Sequence, residues 1–301
     1  MKKLILSIYL MAGTSVAAQH VIVVKDSTTL EPIPYVSVWF GNNSGGYTNE
    51  GGTIDVPDWA EQLRFSHICY ETKSITKDND PGNTVLLAPK SINLSEINIS
   101  AKASKQARTK KIGYIKEKAQ TRHSGANGFE MALFIPYDSE WIETPYIHSI
   151  FASLDYSTRI MLFNTIESPI YATLRFDLRL PDTKTGAPRN ESIINGGILY
   201  EPGKKVGKDG VKLSNPIPFP ETGVFVVLEW ITTAMITESE SLIPSLNMTL
   251  KADDNRTWNK KTYREMDWKQ IKDEPIYQNE QVIQSYKGMT PCAMLGLTIS
   301  E

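Results

Sequence analysis

Two glutamates embedded in apolar runs are the first residues whose type could support chemistry. Glu130 lies in Gly128-Phe129-Glu130-Met131-Ala132-Leu133-Phe134-Ile135, and Glu229 in Phe225-Val226-Val227-Leu228-Glu229-Trp230-Ile231. A paired-carboxylate hydrolase needs two such acids flanking the bond, one to donate a proton and one to attack or to activate water. Strand alternation alone also sends many acids to a wet face, so the pair has an ordinary reading beside the catalytic one. Trp258, Tyr263 and Trp268 form a second group. Rings among polar neighbours suit a platform that stacks on sugars, beside the ordinary reading of core or hairpin packing.

Other reaction chemistry lacks its residues. The four histidines, His20, His67, His123 and His148, fall in no H-x-x-E or H-E-x-x-H arrangement, so no zinc site is expected. There is no G-x-S-x-G elbow and no Gly-rich phosphate loop. No catalytic residues, metal or other cofactor are expected. Cys69 and Cys292 are too few for a disulfide framework; they form either one bridge or two buried thiols.

The start of the chain indicates a compartment. Lys2 and Lys3 precede the apolar run Leu4 to Met11, and Val16-Ala17-Ala18 offers small residues for cleavage. Residues 1–18 therefore read as a signal peptide, with Gln19 as the mature start and the periplasm, outer membrane or cell surface as destination. The remaining length of about 280 residues suits two domains. No later stretch is long and apolar enough for a membrane helix. A formal net charge of −2 gives no general attraction to nucleic acid.

Positioning falls to short strands. His20 to Lys25 is β-rich and ends at Asp26-Ser27-Thr28, a turn-forming run. Pro32 and Pro34 are expected to keep the chain extended at an edge. Tyr35 to Phe40 alternates, as do Thr53 to Val56 and Leu63 to Ser66, while Gly45-Gly46 and Gly51-Gly52 supply turns. Thr84 to Leu87 closes the set. The order Pro32-Ile33-Pro34-Tyr35-Val36, then Thr48-Asn49-Glu50-Gly51-Gly52, then Leu63-Arg64-Phe65-Ser66-His67-Ile68-Cys69-Tyr70-Glu71 resembles the carboxypeptidase regulatory-like domain. The resemblance covers roughly residues 20–90. It implies a transthyretin-like, immunoglobulin-like β-sandwich in an envelope protein, a non-catalytic companion that brings no zinc site. Cys69 stands where related sequences usually carry Gly.

Leu94-Ser95-Glu96-Ile97-Asn98-Ile99 is either a last strand or lead-in, or an edge for pairing with a partner. The residues that follow are too few for a plug and large barrel. Between 101 and 124, Lys102, Lys105, Arg108, Lys110, Lys111, Lys116, Lys118 and Arg122 face Glu117 alone. That run reads as a solvated basic linker or exposed helix, with attraction to anionic envelope polymers as the functional alternative.

Residues 125–301 return to β patterning. Leu174-Arg175-Phe176-Asp177-Leu178-Arg179-Leu180 alternates like a half-buried strand. Short helices are expected near 239–242 and 263–271, and Asn215 to Pro220 as a rigid extended loop. The run Gly128 to Ala132, the Leu174 to Leu180 strand, Gly186-Ala187-Pro188 and Phe225 to Ile231 resemble, in that order, the region behind the same regulatory-like domain in other envelope proteins. The expected organisation is all-β: signal peptide 1–18, regulatory-like sandwich 19–100, linker 101–124, and a jelly-roll-like β-sandwich 125–301. The expected role is a secreted, non-catalytic accessory or binding protein, with an envelope protein or a glycan as partner and no nucleic acid. The alternatives are a carbohydrate-binding module using Trp258, Tyr263 and Trp268, and a hydrolase using Glu130 and Glu229. Oligomeric state stays open.

Overall fold

A computed structural model describes residues 20–76, 82–90, 108–125, 127–156, 170–203, 206–231, 241–252, 254–262, 265–271 and 288–300. The proposed signal peptide, the segment 94–99 and Tyr263 lie outside the described residues. Among these residues every regular element is a strand. No helix there is long and apolar enough to cross a membrane.

The first unit stacks two sheets. One orders β4 (Thr53–Val56), β1 (His20–Asp26) and β7 (Thr84–Leu87). The other orders β3 (Ser44–Tyr47), β2 (Ser37–Gly41), β5 (Gln62–His67) and β6 (Tyr70–Thr76). Alternate residues point inward, so Ile22, Val24, Val38, Phe40, Ile54, Val56, Leu63, Phe65, Val85 and Leu87 share one core.

Its turns follow from named side chains. Asp26 accepts hydrogen bonds from the Thr28 and Thr29 N–H groups and from the Tyr70 hydroxyl. The backbone donors, ahead of the tyrosine, hold its carboxyl below the usual aspartate range. Asn49 Oδ1 accepts from the Gly51 and Thr53 N–H groups, closing an Asx turn. Gly52 has φ +70°, and a Cβ there would lie 2.7 Å from the Val24 carbonyl oxygen, so only glycine fits. The buried Thr48 hydroxyl accepts from the Val36 N–H at 2.9 Å and donates to the Ile33 carbonyl at 2.8 Å. Thr48→Val should therefore cost about 1–3 kcal/mol in urea unfolding, because both backbone groups lose a partner in a sealed site. Pro34 opens a turn rather than extending an edge: Tyr35 after it takes φ +58°, the arrangement of a type II turn.

The second unit is a larger sandwich. Its outer sheet orders β14 (Pro188–Ser192), β13 (Thr173–Pro181), β17 (Val224–Ile231), β10 (Phe129–Ile135), β20 (Thr257–Lys261) and β21 (Glu265–Gln270), with β15 (Ile198–Tyr200) also on β13. The facing sheet orders β22 (Met289–Ala293), β19 (Ser245–Ala252), β11 (Tyr146–Asp155), β23 (Leu295–Ser300) and β8 (Thr109–Gly113). To it are added β16 (Lys208–Pro218) on β11 and β9 (Thr121–His123) on β19. A separate parallel pair joins β12 (Ile170–Tyr171) to β18 (Ser241–Leu242). Between the sheets lie Met131, Leu133, Leu174, Phe176, Leu178, Leu228, Trp230, Leu246, Leu295 and Leu297.

Several expectations need correction. The described part of the basic run is not a solvated linker: Thr109 to Gly113 pairs with β23, and Thr121 to His123 with β19. Lysines suit this position because β8 is the edge strand among the described residues, where charge discourages further pairing. Lys111 lies 4.1 Å over the Phe151 ring and Lys110 5.8 Å over Trp141. The helices expected near 239–242 and 263–271 are replaced, where described, by β18 and β21. Trp258 pairs with Gln270 and Asn259 with Lys269 across a hairpin. The Asn215 to Pro220 loop is in part strand, since Ile217 and Pro218 pair with Ile147 and Tyr146. Both cysteines are free, Cys69 half-buried and Cys292 buried, so the bridged alternative is not realised.

Candidate functional site

The outer sheet of the second sandwich has a polar face that is almost wholly covered. On β13, Leu174, Phe176 and Leu178 point into the core, so alternation turns Arg175, Asp177 and Arg179 to the other side. All three are nevertheless buried, at 6%, 1% and 5% exposure. The expectation of a half-buried strand is therefore corrected: the alternation is present, but both faces are covered. Glu130 and Glu229 lie on the same face, directly opposite each other across the β10–β17 pair. Lys260 is opposite Glu130 on β20, and Arg175 is opposite Glu229 on β13. A row Lys260–Glu130–Glu229–Arg175 thus crosses four strands, and like charges that would repel are flanked by cations.

The contacts complete this compensation. Arg175 Nη1 donates to Glu229 Oε2 at 2.9 Å, and the Tyr47 hydroxyl, from β3 of the first sandwich, donates to Glu229 Oε1 at 2.7 Å. Arg179 lies 2.8 Å from Glu130 Oε2 and 2.7 Å from Asp177 Oδ2, and Lys260 is 3.6 Å from Glu130 Oε1. Ser192 donates to Asp177 at 2.5 Å. Burial pushes the Glu130 carboxyl up, but Arg179 and then Lys260 more than reverse it, and it lies below the usual carboxylate range. Arg179 is raised: its own burial opposes this, and Glu130 and Asp177 outweigh it.

Above this floor a cleft of about 320 Å³ opens between the two units. The first sandwich supplies one wall, with Tyr35, Trp39, Arg64 and His67 among its residues; the second supplies Asn190, Thr262 and Asp267 beside the charged floor. Tyr35 and Trp39 also pack against Tyr47 and the buried Ile231 of β17, joining the units by an apolar seam next to the cleft. Arg64 lies 5.6 Å over the Trp39 ring. Gly196, at φ +95°, brings the loop after β14 against Cys69; a Cβ there would stand 2.6 Å from the Cys69 sulfur. That contact accounts for a small residue at 196 opposite a side chain at 69.

His67 and His123 set the response to acid. Burial, then the positive Arg175 and Lys90, pushes His67 down to about 3. Burial, then Lys261, pushes His123 to about 4, where its ring stacks 4.3 Å from Phe129. Both stay neutral in the folded chain while the unfolded chain binds protons below about pH 6.5. Stability is therefore full above that value and falls as the pH drops toward 3–4. From pH 7.5 to 5 we expect a loss of about 1–2 kcal/mol per histidine, read as a falling urea midpoint. His67→Gln and His123→Gln should each flatten this slope.

Of the residues singled out in the sequence, the structure brings Glu130 and Glu229 together, both buried at 4% and 6% exposure. With Glu130 held ionised, it is unsuited to the general-acid part, which needs a raised pKa. Trp258 and Trp268 lie on the same sheet face and are half-buried. Trp258 meets Phe225 edge-on at 6.3 Å, and Trp268 has Arg179 at 5.7 Å and Lys260 at 5.9 Å from its ring. Among the described residues no group of three or more His, Cys, Asp or Glu is placed to hold a metal. Sequence reasoning passed over Tyr35, Trp39, Arg64 and Arg175, whose common position depends on docking two units that are remote in the chain.

No family model matches the chain, and no curated protein matches it. It is similar to the crystal structure of the cysteine protease and lectin-like domains of Cwp84, a surface layer associated protein of Clostridium difficile. The TM-score is 0.36 and the identity 10%, over 88% of this chain and 58% of that one. The chain spans less than two thirds of that structure's length, and a likeness at this score carries no argument about activity.

Proposed function

We propose that this protein is a non-catalytic binding component of the bacterial cell envelope, whose regulatory-like sandwich and second sandwich together form one glycan-binding cleft. One observation carries the reading: the cleft draws walls from both units and sets the rings of Tyr35 and Trp39 beside hydroxyl, amide and charged groups. A sugar has apolar C–H faces and a rim of hydroxyls, so its site needs a ring to pack on and polar groups that donate and accept. The volume sits at the small end of the roughly 300–1,000 Å³ of ligand sites, enough for a short glycan end rather than a chain lying through it. Assignment of the first unit to the carboxypeptidase regulatory-like family is supported by its motifs, which fall on turns and strands of a small sandwich. The envelope location is supported by the basic and then apolar residues 2–11.

Native gels with embedded glycans test the reading. Chain starting at Gln19 is expected to be retarded, and Trp39→Ala to abolish the retardation. Parallel Trp258→Ala and Trp268→Ala variants ask whether the other aromatic group contributes. Absence of retardation on every glycan removes the glycan and leaves an envelope protein as the partner of an accessory module.

A further inference from the structure

We propose that the far side of the facing sheet, across the second sandwich from the cleft, is a second interaction surface that takes an anionic polysaccharide. The core residues Ile150, Ala152, Leu295 and Leu297 fix how its strands alternate. Ser149, Phe151, Ser153, Gly296 and Thr298 therefore point away from the core. Lys111 of β8 is directly opposite Thr298, Thr298 opposite Ser149, and Ser149 opposite Lys212 of β16. Lys208 is opposite Ser153 on the same face. Edge protection alone allows charges of either sign on either face. Here the outward charges of β8 and β16 are all lysines. The acid of β16, Asp209, points the other way and accepts from the Tyr200 hydroxyl at 2.9 Å. Asp155, the outward acid of β11, lies 3.1 Å from Arg122. Among the described residues none of the three lysines is in an ion pair.

Phe151 organises the middle of this face, between Gly296 on one neighbouring strand and Gly210 on the other. A Cβ at 210 would collide with the ring, so glycine lets Phe151 lie over β16. The Lys111 ammonium is held 4.1 Å from the ring centroid, which draws it inward from the edge. Spacing then selects the ligand. Lys212 is about 14 Å from Lys111 across three strand spacings, and about 13 Å from Lys208 along its own strand. No single small anion spans such distances, whereas charges repeated along a polymer do. A formal net charge of −2 gives the whole chain no general attraction to polyanions, so the affinity must come from a local array. Among the described residues of these four strands no large apolar side chain is exposed. A lipid surface would be met without an apolar anchor, which favours the polysaccharide.

Native gels cast with dextran sulfate, polygalacturonate or neutral dextran test the proposal on the parent chain and on Trp39→Ala, which silences the cleft. Both polyanions are expected to retard both chains beyond neutral dextran, with the effect falling as salt is raised. Lys111→Gln/Lys208→Gln/Lys212→Gln should weaken this retardation about tenfold or more at unchanged thermal stability. Lys25→Gln/Lys73→Gln/Lys184→Gln, which removes the same charge elsewhere, should leave it unchanged. Equal loss in the two triple variants, or loss in Trp39→Ala, overturns the placement on this face. No retardation by either polyanion overturns the proposal and leaves the cleft reading to its own test. Binding to phosphatidylglycerol vesicles without retardation by either polyanion makes the partner a lipid surface, and overturns the polysaccharide.

Discussion

Arg179→Ala is expected to lower the free energy of unfolding by about 3–5 kcal/mol. Arg179 is 5% exposed and bridges two carboxylates, Glu130 at 2.8 Å and Asp177 at 2.7 Å. Removing it leaves both acids on a covered sheet face, with Lys260 at 3.6 Å and the more remote Arg175 as cations acting on Glu130. The cost is mostly the desolvation of charges left behind, not the worth of the pair itself. The combined variant Arg179→Met, Glu130→Met, Asp177→Leu should for that reason recover most of the loss. Urea unfolding of the single and combined variants separates these effects. A single variant as stable as the parent would mean that solvent reaches this face.

Trp230→Ala should be comparably severe, at about 3–5 kcal/mol in the same measurement. The indole is fully buried in the core of the second sandwich. Its Nε1 donates to the Pro244 carbonyl at 2.8 Å, and Phe129 meets it edge-on at 6.1 Å. Gly125 lies directly against the ring, where an added Cβ would collide with Nε1. Truncation thus opens a cavity that rigid neighbours cannot fill and leaves a buried carbonyl without its donor. Trp230→Phe retains much of the volume and loses only the hydrogen bond, so its cost should be clearly smaller. Equal costs for the two variants would argue that the donor, rather than packing, dominates.

Legibility in the sequence followed the physics of each strand. β10 and β17 carry apolar runs interrupted by a single glutamate each, because both of their faces are covered, and such runs are plain to read. The first sandwich was legible through its turns, since Thr48, Asn49 and Gly52 act on their own neighbourhood. Edge strands were not. β8 is lysine-rich and β16 contains two prolines, features that protect an edge and also hide it from a pattern search. The site was least legible. Alternation showed that Arg175, Asp177 and Arg179 share a face, but not that the first sandwich and the loop at Gly196 cover it. Glu130 and Glu229 stood out as acids in apolar runs. Their purpose as a neutralised floor required their opposition across β10 and β17 and the Tyr47 hydroxyl from a strand 182 residues away.

The central claim is that one ligand site is shared between the two sandwiches. Hydrogen-exchange mass spectrometry of the chain with and without a glycan that retards it in native gels tests it most directly. The account predicts added protection in both 64–68 and 175–179, which come from the first sandwich's wall and the second sandwich's floor of the cleft. Protection confined to 257–270, around Trp258 and Trp268, or to one sandwich alone, would contradict it.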